Sequence, residues 1–493
     1  MIYLDFSATS PLDPSAKKAM LEVMELSERR LLGNPSSLHT PGSRGRDLLS
    51  SARKSVANLV NASPNEIIFT SGGSESNNTV MNIFDSCPIF VSKIEHPSVL
   101  APAEEHAEPL YKIPVSSEGV ISLDFLKEKL DFLLESSPKK KILISVMTAN
   151  NETGVLEPLE EVSTLIKEYR EKGLKKLYFH TDATQAVGKI PLDTKSLGVD
   201  YLTISAHKLG GPVGIGALFV RTGAPYKPLI LGGEQENKRR AGTSNALLAA
   251  GFKAVAEKSF STPKKYKEVA KLRDWLASEI LRELPTAKIL TAVGIEREGT
   301  KETILGREAI SSEQSSKGEL SLSLERSKKT SRISGGDHEG AQSTAGVSRG
   351  ALRSARLDDD RNPTEVSRSE KDSDSSQYGK SSNRSEEIAS RPSKSLPNIL
   401  NVSFPSAEGE STQLYLDLAG FAVSTGSACA SGDLEPSHVI MSMTGDAEIA
   451  HNSVRFSLGL DTKKSDLKKL IKTLKPIVSR LQSISTIKLK EQP

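Results

Sequence analysis

Cysteine is nearly absent from this chain of 493 residues, which has only Cys87 and Cys429. Two thiols are too few for a disulfide framework or a structural zinc site, so no metal is expected. Tryptophan occurs once and aromatic residues make up 5%. Hydrophobic residues reach only 37%, low for an enzyme packed throughout, so part of the length is expected outside any core. An excess of one charge is also lacking. A net charge of +3 gives no global nucleic-acid signature, which would need a clustered basic face. No apolar run approaches the roughly 20 residues of a membrane span. The opening MIYLDFSATSPLDP has neither the basic nor the apolar region of a signal peptide. These absences lead us to expect a cytoplasmic protein with no membrane or direct nucleic-acid binding, long enough for two or three domains.

The ordered pattern begins with apolar positions at helical spacing over residues 11 to 32, after a Pro11 to Pro14 turn. LLGNPSSLHTPGSRGRDLL then reads as a loop running into a helix that ends near Asn61. From Glu66 onward short apolar runs alternate with helical patterns: EIIFT, PIFVS, KILISVM, KLYFHTD, DYLTIS and GIGALFV. Such runs predict an α/β fold with a mainly parallel sheet covered on both faces. Ligands in open sheets of this kind bind beyond the carboxyl ends of the strands.

Those ends carry chemistry. EIIFT is followed by a glycine turn with Gly73 and Ser74 that opens a helix, whose free N–H groups suit a phosphate. PIFVS leads to His96, KILISVM to Asn150, KLYFHT to Asp182 and Gln185, and DYLTIS to Ser205, His207 and Lys208. Taken alone, Asp182 reads as a helix cap and Lys208 as a lysine in a glycine-rich turn. Taken together, an anion-binding turn, an imidazole, amides, a carboxylate and an amine match one cofactor, pyridoxal phosphate (PLP). Lys208 would form a Schiff base with its aldehyde, and Asp182 would keep its ring nitrogen protonated.

Beyond the sheet, LILGGEQENKRRAGTSN combines a glycine pair with Arg239 and Arg240, for which a solvated face is the default. Residues 264 to 284 read as a long amphipathic helix whose Trp275 belongs to a core. From about Val293 to Ser395 the composition turns to Ser, Arg, Glu, Gly and Asp, with 18 basic and 18 acidic side chains. This insertion, 293–395, is expected to be disordered, since it cannot bury enough apolar area to offset its ordering entropy. A folded pattern resumes at LPNILNVSF and ends in an amphipathic helix. Cys87 precedes an apolar run, where an inert buried thiol is usual. Cys429 lies among small polar residues in STGSACASG, and reads equally as a reactive thiol or an exposed bystander.

The motifs YLDFSATSPLDP, GNPSSLH, SGGSESNN, EHPSV, NNETG, HTDATQAVGK, SAHKLGGPVGIGAL, RRAGTSN, STGSACASG and VRFSLG occur in this order. The chain thereby resembles PLP-dependent cysteine desulfurases of the NifS/IscS type, within the class V aminotransferases, over nearly all its length outside the insertion. The resemblance implies fold type I. It also implies an N-terminal arm (1–14) packing with a smaller α+β C-terminal domain (256–292 and 396–493) and a large PLP domain (15–255). Carried over position by position, Lys208 is the cofactor lysine and Asp182 the partner of the ring nitrogen. His96 stacks on the ring and moves protons, while Gln185 and Asn150 contact the ring oxygen. Gly73, Ser74, Ser205 and His207 hold the phosphate, with Thr243 from a second subunit of a homodimer. Asn34 and Arg455 resemble the residues that grip the substrate carboxylate. Cys429 is similar to the cysteine that takes sulfur from L-cysteine as a persulfide for a sulfur acceptor or iron–sulfur scaffold protein, serving cluster assembly or thiolation. His96 and His438 are candidates to activate that thiol, since no lysine or arginine lies in its immediate loop. Selenocysteine lyase, cysteine sulfinate desulfinase and a catalytically silent scaffold are the alternatives. Phe6 and Ser7 depart from the common pattern, with little catalytic consequence expected.

Overall fold

A computed structural model describes residues 1–297, 300–304, 395–426 and 435–485. Cys429 and all but the two ends of the polar insertion lie outside the described residues. The strands are β1 (Ile2–Tyr3), β2 (Ile67–Thr70), β3 (Cys87–Ser92), β4 (Ala107–Ile113), β5 (Ile142–Ser145), β6 (Leu177–Asp182), β7 (Tyr201–Ser205) and β8 (Gly216–Val220). They continue with β9 (Lys288–Ile289), β10 (Val293–Arg297), β11 (Thr300–Ile304), β12 (Ile399–Ser403), β13 (Phe421–Ala422) and β14 (Ser453–Ser457).

Seven strands form the central sheet, in the order β2-β8-β7-β6-β5-β3-β4. Neighbours from β7 to β4 are parallel, and β8 is antiparallel to both β2 and β7. Every residue of β2, β5, β7 and β8 is buried, as continuous apolar runs require when helices cover both faces. The mainly parallel α/β sheet expected from the pattern is therefore present. Strand β4 carries no such signal, because AEPLYKI mixes polar residues with a proline and lies at the sheet edge, where three of its seven residues are exposed.

A second core forms around the antiparallel sheet β14-β12-β9, covered by the helices Thr262–Glu283 and Lys464–Ile484. Leu4 joins this core, β1 pairs in parallel with β13, and Asp5 bridges to Ser457, so the first residues of the chain are stitched to its last elements. Trp275 is only partly buried against this core and lies under the Lys464 ammonium, 4.7 Å from the ring centre. The start of the polar insertion differs from the expected disorder: β10 and β11 pair as an antiparallel hairpin, with Val293 opposite Ile304. Val293 and Ile295 alternate with polar residues there, a short strand signal that composition averaged over the whole segment hides. Among the described residues no helix is long and apolar enough to cross a membrane.

Candidate active site

Parallel pairing brings the carboxyl ends of β3, β5, β6 and β7 to one rim. β2 runs in the same sense as β7, because both pair antiparallel with β8.

At the β2 end, the chain turns through Ser71 and Gly72 into the helix Gly73–Ile83. Thr70 Oγ1 donates to the Gly72 carbonyl at 3.1 Å, and the Ser71 N–H donates to Glu75 Oε2 at 2.7 Å. The N–H groups of Gly73 and Ser74 have no acceptor within the helix, and its dipole favours an anion there. A Cβ on Gly73 would stand 3.3 Å from Thr184 Oγ1 and 3.9 Å from Ser205 Cβ, so this turn abuts the ends of β6 and β7. Glycine at 216 makes that approach possible. Gly216 is paired with Thr70 on one side and Ser205 on the other, and an added Cβ would lie 2.7 Å from Gly72 Cα.

The turn has a support that the sequence reading missed. Arg240 Nε donates to Glu75 Oε1 at 3.0 Å, so one of the two arginines assigned to a solvated face instead clamps the turn from Ser71 to Glu75. Burial alone would raise the Glu75 carboxyl, but hydrogen bonds from Arg240 and Ser71 prevail and hold it below its ordinary value. The RR dipeptide carried no local signal for this ion pair, whose partners are 165 positions apart.

At the β6 end, Asp182 accepts from Asn77 Nδ2 at 2.8 Å and from the Thr184 N–H at 2.9 Å. Below it, His180 is buried between Ser145 Oγ (2.8 Å from Nδ1) and Thr203 Oγ1 (3.1 Å from Nε2). Burial pushes His180 down to about 4 despite the nearby Asp182, so this ring is a neutral rung across β5, β6 and β7.

His96 caps the helix Pro97–His106, and its Nδ1 accepts the Ser98 N–H at 3.1 Å, which leaves the proton of the neutral ring on Nε2. Burial lowers its pKa. Asp182 opposes this, and Lys208 and His438 reinforce it. His207 is pushed down to about 4 by burial and then by Lys208 and Lys189.

Lys208 Nζ donates to the carbonyls of Ser7 (2.5 Å) and Ala8 (2.7 Å), and Gln185 Nε2 donates to the same Ser7 carbonyl at 3.0 Å. These contacts use the backbone, so the unusual side chains of Phe6 and Ser7 do not alter them. Lys189 was also missed. It is 2% exposed, its Nζ donates to the Gln185 carbonyl at 2.7 Å, and burial with the adjacent Lys208 charge brings it down to about 7. Its position four residues after Gln185 in HTDATQAVGK was the available clue.

The remaining candidates sit differently. Both ends of the Asn150 amide are engaged around its own loop: Oδ1 accepts the N–H groups of Glu152 and Thr153, and Nδ2 donates to the Ile94 carbonyl at 3.0 Å. Arg455 is buried and donates to the Asn151 carbonyl (3.0 Å) and Asp5 Oδ1 (2.8 Å), while its Nε has no partner among the described residues. Asn34 and Thr243 are exposed, and among the described residues neither hydrogen-bonds to the Asp182–Lys208 group. His438 Nε2 lies 3.0 Å from the Glu95 carbonyl. Cys87 is half-buried rather than sealed, with burial raising its thiol.

These residues fit pyridoxal phosphate. Thr184 Oγ1, Gln185 Oε1 and Asn77 Oδ1 are buried beside Asp182 with no hydrogen-bond partner among the described residues. Leaving such atoms unpaired costs about 1–3 kcal/mol each, so the pocket is built for a polar ligand. The anion turn, carboxylate and amine surround it with the donor set this cofactor needs.

Comparison with known proteins bears on the same chemistry. Residues 2–310 and 364–470 match the family described as aminotransferase class-V. The chain is similar to "Cysteine desulfurase IscS" of Dictyoglomus turgidum, at 35% identity over 99% of this chain and 97% of that protein. It is similar to "Cysteine desulfurase NifS" of Azotobacter vinelandii, at 31% identity over 98% and 94%. Among solved structures, a NifS-like protein from Rickettsia africae superposes with a TM-score of 0.68 at 25% identity, over 97% of this chain and 99% of that one. The architecture is accordingly that of fold type I PLP enzymes.

Proposed function

The chain belongs to the aminotransferase class-V family, and we propose that it acts there as a PLP-dependent L-cysteine desulfurase, converting L-cysteine to L-alanine and passing the sulfur to an acceptor. One observation carries the reading: at one rim of the sheet Lys208 Nζ and Gln185 Nε2 converge on the Ser7 carbonyl, at 2.5 and 3.0 Å, beside an Asp182 carboxylate held by Asn77 at 2.8 Å.

In this reading the Gly73 and Ser74 N–H groups, Ser205 and His207 would hold the cofactor phosphate, Lys208 would anchor its aldehyde until substrate arrives, and Asp182 would keep its ring nitrogen protonated. Gln185 Nε2, which gives one N–H to the Ser7 carbonyl, would give its second to the ring oxygen, and Asn150 shapes the loop beside it. The cofactor, when bound, supplies an electron sink that makes the substrate alpha carbon acidic. Lys208 Nζ takes the alpha proton, with the Ser7 and Ala8 carbonyls ready to hold the ammonium that results. His96 moves protons at Nε2, and Arg455 with Asn34 orients the substrate carboxylate by its planar fork. The Cys429 thiolate attacks the substrate sulfur. A sulfur–sulfur bond forms and the carbon–sulfur bond breaks with its electron pair left on carbon. That carbon takes a proton through His96, the alpha carbon regains the one held on Lys208, and alanine leaves a persulfide on Cys429.

The reading includes a cytoplasmic homodimer in which Thr243 completes the phosphate site of the second copy. Its support is that Thr243 stands exposed, in the same stretch of chain as Leu231, which is 81% exposed.

Mass spectrometry after incubation with L-cysteine tests the function. We expect a persulfide on Cys429 with released alanine, and Cys429→Ala should keep its bound cofactor but form no persulfide. A persulfide on Cys87 instead, or turnover by Cys429→Ala, would overturn the assignment.

A further inference from the structure

Glu152 is a buried acid that the chemistry above does not use. It follows β5 in the loop wrapped around Asn150, whose Oδ1 accepts the Glu152 N–H at 2.8 Å. The Glu152 carbonyl accepts from Asn401 Nδ2 at 3.3 Å, which ties the same residue to β12. Its side chain, in a residue only 4% exposed, points at neither strand end. Instead Ser437 Oγ donates to Glu152 Oε2 at 2.6 Å, across 285 positions of sequence. Ser437 also caps the helix His438–Thr444, its Oγ accepting the Ile440 N–H at 3.2 Å.

The same carboxyl oxygen meets a second segment. An ideal Cβ built on Gly426 would lie 2.3 Å from Glu152 Oε2 and 3.2 Å from Ser437 Oγ, so position 426 lacks a side chain where the carboxyl passes. Its backbone is not in the left-handed region, so glycine is needed here for space rather than for conformation. Two residues upstream, Ser424 exchanges both backbone hydrogen bonds with Arg455, at 3.2 and 2.7 Å. Arg455 itself donates to the carbonyl of Asn151, the residue before Glu152. Gly426 and Ser437 lie on either side of Cys429 in the sequence.

We propose that Glu152 is a positioning residue for sulfur transfer: one buried carboxyl holds Ser437, after Cys429 in the chain, by a hydrogen bond and packs against Gly426, before it, beside Arg455. The inference rests on the desulfurase reading for the role of Cys429, but the clamp itself is a property of described residues. Loss of the carboxyl frees Ser437 and removes the common point on which the two ends meet. Sulfur transfer then slows, because the thiol's approach is no longer set from fixed ends, whereas substrate binding at Arg455 is untouched.

The test compares Glu152→Ala, Glu152→Gln and Gly426→Ala in the PLP-loaded full chain. Hydrogen exchange of peptides covering 421–426 and 437–444 reads the clamp directly, without turnover. We expect exchange to rise by about tenfold in Glu152→Ala and Gly426→Ala, the effect of one lost buried hydrogen bond. Glu152→Gln, whose amide oxygen still accepts from Ser437, should restore it. In persulfide formation from L-cysteine, the first two variants should lose about tenfold or more in kcat at unchanged KM. Unchanged exchange in Glu152→Ala overturns the clamp. A raised KM with kcat preserved also overturns it, since the residue would then serve carboxylate binding. Should Glu152→Ala fail to fold, Gly426→Ala decides the matter alone. Wild type with altered-exchange variants but no persulfide on Cys429 would sink the desulfurase reading and leave the clamp standing.

Discussion

Glu157 is sealed behind the loop after β5, where its Oε2 accepts the Ile121 N–H at 3.0 Å, and burial pushes its carboxyl up to about 8 against that hydrogen bond. The folded chain therefore holds a proton that the unfolded chain releases near 4.5. Stability from this group falls as pH rises from about 4.5 and levels off above about 8, by roughly 1.4 kcal/mol per pH unit within that window. Glu152, raised to about 7 by burial, adds the same sign over a shorter range, and Lys189, lowered to about 7, acts oppositely only above it. Glu157→Gln keeps the acceptor for Ile121 and removes the titration. Thermal unfolding at pH 5 and pH 8 should show the variant gaining a few kcal/mol relative to wild type at the higher pH, and parallel curves would contradict the buried neutral acid. At the β6 end, Asn77→Ala removes a donor from Asp182. Cofactor affinity, followed by its visible absorbance on dilution, should fall about tenfold or more. A single residue was legible in the sequence when its chemistry and its strand end coincided, as for Asp182 and Lys208. It was illegible when its role came from distant partners, as for Glu75, Arg240 and Glu152.

The β2–β8–β7 edge is the element on which the turn after β2 depends, because Gly216 leaves the space that Gly72 occupies. Gly216→Ala forces the turn outward, since the atoms it meets are backbone and cannot swing aside. We expect a loss of about 1–3 kcal/mol in stability, as for other overpacked sites, together with cofactor lost on gel filtration. A variant that melts like wild type and stays loaded would show that the turn can move. Most strands of this sheet could be read beforehand because complete burial writes them as apolar runs. β4 could not, since an edge strand keeps polar residues and a proline, and the β10–β11 hairpin was hidden by the composition around it.

In the whole molecule, the polar insertion leaves and rejoins one place. Val293 is paired with Ile304, and Ser395 Oγ donates to the Ala292 carbonyl at 2.5 Å. Buried Arg273 fastens the return by donating to Ser395 Oγ at 2.9 Å and to the Leu396 carbonyl. Replacing residues 305–394 by a short Gly/Ser linker should shift the melting temperature by less than about 4 °C, since loop closure depends only weakly on length. Turnover should be retained, and its loss in a folded, PLP-loaded protein would give the segment a function of its own. By itself the sequence determined a mainly parallel sheet and the residue types that follow its strands, because periodicity and turn chemistry are local. Only the tertiary structure decided that the Ser7 carbonyl receives Lys208 and Gln185, that Arg240 braces Glu75 in the turn after β2, and that Glu152 meets Gly426 and Ser437. Those contacts join residues more than a hundred positions apart. They are set by tertiary packing, and no local pattern in the chain encodes them.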